Sequence, residues 1–115
     1  MSSGEIFSLR KQGRSAEALQ IARAEYPQNT TDVWYLRAYA WALYDHAKEV
    51  VDRYEAKQLS PATLSGQLTP YMREFARMAD ALRGDSAFSQ ILRLAGKVSK
   101  DWQEFLNFAR WVGNQ

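Results

Sequence analysis

Between Asp32 and Ala56 the apolar side chains fall on one continuous stripe. Leu36, Ala40, Leu43, Ala47, Val50 and Tyr54 follow one another at intervals of four, three, four, three and four. That alternation is the 3.6-residue period of an α-helix with a buried face. At 1.5 Å per residue the helix it predicts is about 35 Å long. Trp34, Ala38 and Trp41 form a second apolar face on the same segment, large, small and large in turn. A small side chain between two large ones lets another helix come close, and the indoles fill the space above and below it. Both indoles are therefore expected in the core, and a helix buried on two sides is expected at the centre of the domain.

The flanking segments read as helices too, with almost no strand signal. The first is expected from about Gly4 to Gln12, with Ile6, Phe7 and Leu9 inward, stopped by Gly13. The second runs from about Ser15 to Glu25 with Ala18, Leu19 and Ala22 on one stripe, and Tyr26-Pro27-Gln28-Asn29-Thr30 breaks it. Thr31 or Asp32 caps the long helix. Residues 57–69 are expected to be a loop, with Ser60-Pro61 opening at most a short turn. Thr69-Pro70 is the expected start of a fourth helix, a capping threonine followed by proline at the first helical position. It carries Tyr71, Phe75, Met78, Ala79 and Leu82 inward as far as Gly84. A fifth helix starts at Asp85 or Ser86 with Phe88, Ile91, Leu92, Ala95 and Val98 inward. Asp101-x-x-Glu104 resembles a capping box opening a last helix, through Trp102, Phe105, Leu106 and Ala109 to Val112. The expected organisation is one helical domain over 1–115: a hairpin part at about 5–45, the loop at about 57–69, and a three-helix part at about 70–113.

Composition narrows the function classes. A chain of 115 residues, 46% apolar and 13% aromatic, buries a real core and is not a disordered tail. There is no cysteine and one histidine, which speaks against zinc, iron and Cys/His nucleophile chemistry. No apolar run approaches the ~20 residues of a membrane span. The start, Met1-Ser-Ser-Gly-Glu, has neither the basic nor the apolar stretch of a signal peptide, so a cytoplasmic location is expected. A net charge of +2 is a weak argument for nucleic acid, where a pronounced basic patch is expected.

Gly13, Ala18, Trp34, Ala38 and Trp41 match the positions that helix-turn-helix repeats of the tetratricopeptide family use. Residues from about Ile6 to Asp45 resemble one and a half such repeats, about 40 of the 115 residues. Two departures stand beside the match. Pro27 comes about one turn early after Ala18, and no glycine follows Trp41 at the family's place. The family's Lys/Asn carboxylate clamp is not discernible. The resemblance implies an all-α fold of antiparallel helical hairpins, five or six helices in a right-handed superhelix or bundle. It also implies a groove that holds a peptide or helix of a partner protein. Carried over by position, the groove residues are Phe7, Arg10 and Lys11 from the first pair and Tyr35, Tyr39 and Ala42 from the second. The run Ala38–Asp45 is also similar to N-terminal helical regions of large bacterial multidomain proteins, which implies that the chain is a piece of something longer. Phe108 and Trp111 add apolar surface beyond the stripe their helix needs, so a patch that another domain, a partner or a second copy covers is expected there.

Reactive chemistry has few candidates. Asp45 neighbours His46 in sequence, so on a helix their side chains point about 100° apart and form no orienting pair. Asp45, Glu49 and Asp52 share one helix face, a carboxylate set for Mg²⁺ or for shared protons. Lys48, Arg53 and Lys57 interleave with them, which reads as the solvated side of a buried helix. Gly96-Lys97 lacks the glycine of a phosphate loop. Arg73, Arg77, Arg83, Arg93, Lys97 and Lys100 could line a basic surface for nucleic acid, diluted by Asp80, Asp85 and Asp101. The expected function is thus a non-catalytic scaffold without cofactor or metal. The alternatives are a nucleic-acid-binding accessory domain using Arg73, Arg77, Arg93, Lys97 and Lys100, or a structural lobe of a larger enzyme.

Overall fold

The computed structural model describes residues 2–98. Among them are five α-helices and no strand: α1 (Ser2–Lys11), α2 (Ser15–Glu25), α3 (Val33–Glu55), α4 (Pro61–Ala79) and α5 (Ser86–Val98), with a 3-10 turn at Tyr26–Gln28. The protein is all-α over this range.

Local chemistry sets the ends. Gly13 takes φ of 73° after α1. There the Arg14 amide donates to the Leu9 carbonyl at 2.9 Å and the Gly13 amide to that of Arg10 at 3.0 Å. This is the Schellman closure, which wants a residue without a Cβ at its left-handed position. The same closure ends α3, but Lys57 occupies the left-handed position there, with φ of 63°. Asp32 caps α3 by accepting the Tyr35 amide. Ser60 caps α4 in the same way through Thr63.

The expected loop at 57–69 is not formed. Helix α4 begins at Pro61 and runs through Pro70 without a break, so the connection from α3 spans only about Ala56 to Ser60. Pro70 lacks the N–H that would bond to Gly66, and an interior proline costs about 3 kcal/mol. Leu64 and Leu68 face the core two turns and one turn before Tyr71, the three being 1%, 6% and 7% exposed. Burying two leucines contributes about 1.5–3 kcal/mol each, enough to offset the lost bond.

Helix α3 is the centre, as the stripe predicts. Leu36, Ala40, Leu43, Ala47 and Val50 are buried, and so are Tyr35, Ala38, Tyr39, Ala42 and Val51 around the circumference. It packs against α1, α2, α4 and α5. Ser15 of α2 bonds to Glu49, and Tyr35 bonds to the Ala22 carbonyl, so α2 runs antiparallel to α3. His46 pairs with Tyr71 and Tyr39 with Glu74, so α4 is antiparallel as well. Arg23 of α2 pairs with Glu74 of α4, which places those two helices on one side of α3. Helices α1 and α5 reach the other side through Arg10–Asp45 and Arg37–Asp85.

One core expectation fails. Trp34 is 68% exposed and Trp41 only partly buried, although Ala38 between them is fully buried. Trp34 lies in the first turn of α3, before the stretch that α1 reaches through Arg10, and its ring is left outside.

Candidate interaction surface

The two sides of α3 differ in kind. Toward α2 and α4 it presents Tyr35, Tyr39 and Ala42, which the repeat register assigns to a groove. They are 1%, 0% and 0% exposed, so no partner can reach them in this fold. A buried tyrosine hydroxyl needs a bond, and each finds one. Tyr35 donates to the Ala22 carbonyl, and Tyr39 donates to Glu74 while accepting from Arg77 Nη2 at 2.9 Å. Glu74 is also held by Arg23, at 3.0 and 2.6 Å. Arg77 lies 3.8 Å from the Tyr26 ring centroid, and Tyr26 meets Tyr39 edge-on at 5.8 Å. Burial pushes the Tyr35 hydroxyl up to about 12, helped by the Glu25 charge. Burial also raises Tyr39, and its bond to Glu74 adds to the effect. These rings lock three helices together.

The opposite side is open. Trp34, Arg37, Trp41, Asp45, Lys48 and Asp52 recur at three and four along it, one helix face of mixed character. Arg37 stacks on the Trp34 ring at 4.8 Å, and Arg10 of α1 stacks on Trp41 at 4.5 Å. Each guanidinium also holds a carboxylate: Arg37 binds Asp85 and Arg10 binds Asp45. Beyond Trp41 the face opens into a cleft of about 500 Å³ lined by Arg10, Lys11, Gly13, Ser15, Asp45, Lys48, Glu49 and Asp52. Of the α1 residues carried over from the repeat register, Arg10 and Lys11 line this cleft, half-buried and exposed respectively, while Phe7 is half-buried against the core.

The carboxylates Asp45, Glu49 and Asp52 do come together in this cleft. Asp45 is taken by Arg10, Glu49 accepts from Ser15 at 2.7 Å, and Lys48 and Lys11 share the walls. Among the described residues no three or more acidic or histidine side chains are gathered in a way that could hold a metal ion. His46 is bound to the Tyr71 hydroxyl between α3 and α4. Of the basic set, Arg73 and Arg93 are exposed, Arg77 is engaged with Tyr39 and Tyr26, and the Lys97 side chain, Lys100, Phe108 and Trp111 lie outside the described part.

Sequence reasoning named Arg10 but missed that Trp34 and Arg37 belong to the surface. The signal was there: Arg37 follows Trp34 by three and Asp45 follows Trp41 by four, so each indole has a charged neighbour on its own face. No described helix is long and apolar enough to cross a membrane. Comparison with protein-family models, curated proteins and solved structures finds no match.

Proposed function

We propose that the chain is a non-catalytic interaction module of tetratricopeptide-like build, which holds a peptide or helix of a partner protein along the α1–α3–α5 side. The observation that carries this reading is Trp34, 68% exposed on the same face of α3 as Trp41 and fixed by a stacked arginine. A large indole costs free energy when left in water, and tryptophan and arginine are the residues most enriched where partners bind tightly. A rigid aromatic with a paired cation beside it needs little ordering on contact.

The arrangement of helices supports the repeat reading. In that family the first helix of each pair lines the groove, and here α1, α3 and α5 would be those first helices, with α2 and α4 behind them. This groove is centred roughly 130° around α3 from the register carried over in the sequence: Trp34, Arg37 and Trp41 replace Tyr35, Tyr39 and Ala42.

Affinity capture with the wild-type chain and with Trp34→Ala tests the reading, with circular dichroism as the folding control. Loss of a buried indole anchor weakens a complex by roughly thirtyfold or more. The expected result is a protein captured by the wild type and lost from the equally helical variant. A partner retained by Trp34→Ala would remove this face from consideration.

A further inference from the structure

The exposed indole of Trp34 and the first turn of α5 share one arginine. Asp85 caps α5, its Oδ2 accepting the Phe88 amide at 2.9 Å. That bond satisfies an N–H group which helix geometry leaves without a partner. The Oδ1 of the same carboxylate accepts from Arg37 Nε at 2.8 Å and also from Nη2. The Asp85 side chain is 8% exposed and that of Arg37 27%, so the contact is sheltered from water. Held there, the guanidinium carbon of Arg37 lies 4.8 Å from the centroid of the Trp34 ring. A guanidinium is planar: its edge binds a carboxylate while its face remains free to stack on an indole.

We propose that Trp34, Arg37 and Asp85 form a relay in which Arg37 positions the surface indole and couples its state to the docking of α5 on α3. The coupling belongs to the free protein. Its regulatory consequence rests on the reading of Trp34 as the recognition residue: a partner that fixes the indole also steadies α5, and a loosened α5 weakens the partner's hold. Coupling between two sites is reciprocal, so the two effects are equal in size. Arginine is required for both halves. Lysine keeps the charge opposite Asp85 but has no flat face for the ring.

Amide hydrogen exchange and NMR on the full chain test the relay without any partner. Trp34→Ala is expected to speed exchange of the α5 amides about two- to fivefold while α2 amides keep their rates, the scale of a lost cation–π contact at a partly exposed site. Asp85→Asn is expected to shift the Trp34 indole Nε1–H resonance, assigned by its absence in Trp34→Phe. Arg37→Lys should slow α5 exchange relative to Arg37→Ala yet leave the indole resonance displaced. Unchanged α5 exchange in Trp34→Ala, or acceleration equal in α2 and α5, overturns the relay. So does an indole resonance that Asp85→Asn leaves in place or that Arg37→Lys restores. Capture of a partner plays no part in these measurements, so failure of the recognition reading and failure of the relay are told apart.

Discussion

Tyr39 shows how one hydroxyl decides whether an aromatic side chain is surface or core. Its ring is fully buried, and its oxygen donates to Glu74 and accepts from Arg77. Tyr39→Phe keeps the ring and strips the oxygen, leaving a half-buried carboxylate and a guanidinium each short of one bond. The expected cost is about 1–3 kcal/mol, read as a lower denaturant midpoint at pH 7 with helicity retained. The cost should shrink in alkali. Tyr39 titrates above its ordinary value because burial and Glu74 disfavour the phenolate, so it contributes stability below pH ~10 that is lost as pH rises through the folded value. The phenylalanine variant has no such loss, and the gap between the two proteins measured at pH 8 should narrow by pH 11; a constant gap would mean that the hydroxyl does not titrate with unfolding. In the sequence, tyrosine's apolar ring and polar tip fit an interface as well as a core. What decides is Glu74 and Arg77, three apart on α4, a charged pair facing the ring from a helix 35 residues away. No local pattern on α3 contains that information. Trp34 is the converse case: its apolar character read as core, and only its place in the first turn of α3 puts it outside.

At the scale of elements, the long-period signals were legible and the punctuation less so. The stripe from Leu36 to Val50 fixed α3, and Ser15–Glu25 was readable to the residue because Gly13 and Pro27 bracket it. For α4, Thr69-Pro70 has the chemistry of a helix start, which makes this helix look shorter in the sequence than it is. Its true start, Ser60-Pro61, has the same chemistry, and choosing between them required knowing that Leu64 and Leu68 meet α3. The surviving helix still carries a weakness upstream of the proline. Gly66 sits in its interior, exposed, with nothing within 4 Å of where a Cβ would lie. Gly66→Ala should therefore stabilise the protein by about 0.5–1 kcal/mol, since alanine loses less backbone entropy on entering a helix. Lys57 offers the mirror test. At φ of 63° a glycine is relieved of the Cβ strain that lysine bears, so Lys57→Gly should be neutral to stabilising by up to about 1 kcal/mol. Thermal midpoints of the two variants check both; a drop for Gly66→Ala would show that α4 needs its glycine to accommodate Pro70.

Across the whole molecule, the helices are joined by a repeated device. Each ion pair between different helices or their caps, among the described residues, sets an arginine against a carboxylate: Arg10–Asp45 joins α1 to α3, Arg23–Glu74 joins α2 to α4, and Arg37–Asp85 joins α3 to the cap of α5. All three of these arginines, Arg10, Arg23 and Arg37, also lie over an aromatic ring, as Arg77 does over Tyr26. Arginine suits this double duty because its edge and its face bind different groups. The arrangement makes stability depend on acid in a direction that can be worked out. The Arg37 guanidinium holds the Asp85 carboxyl below the usual aspartate value, with the Phe88 amide helping against the opposing effect of burial. The unfolded chain therefore takes up this proton first as pH falls, and stability drops from the ordinary aspartate range near pH ~4 down through the folded value. Asparagine still caps a helix but carries no charge, so Asp85→Asn loses the ion pair at every pH and has no such titration. Wild type should exceed the variant in thermal midpoint at pH 7, and the two curves should converge toward pH 2. If the difference stays the same from pH 7 to pH 2, the charge on Asp85 is not what holds α5 to α3, and α5 is held by apolar packing instead, including Phe88 against Phe75 of α4.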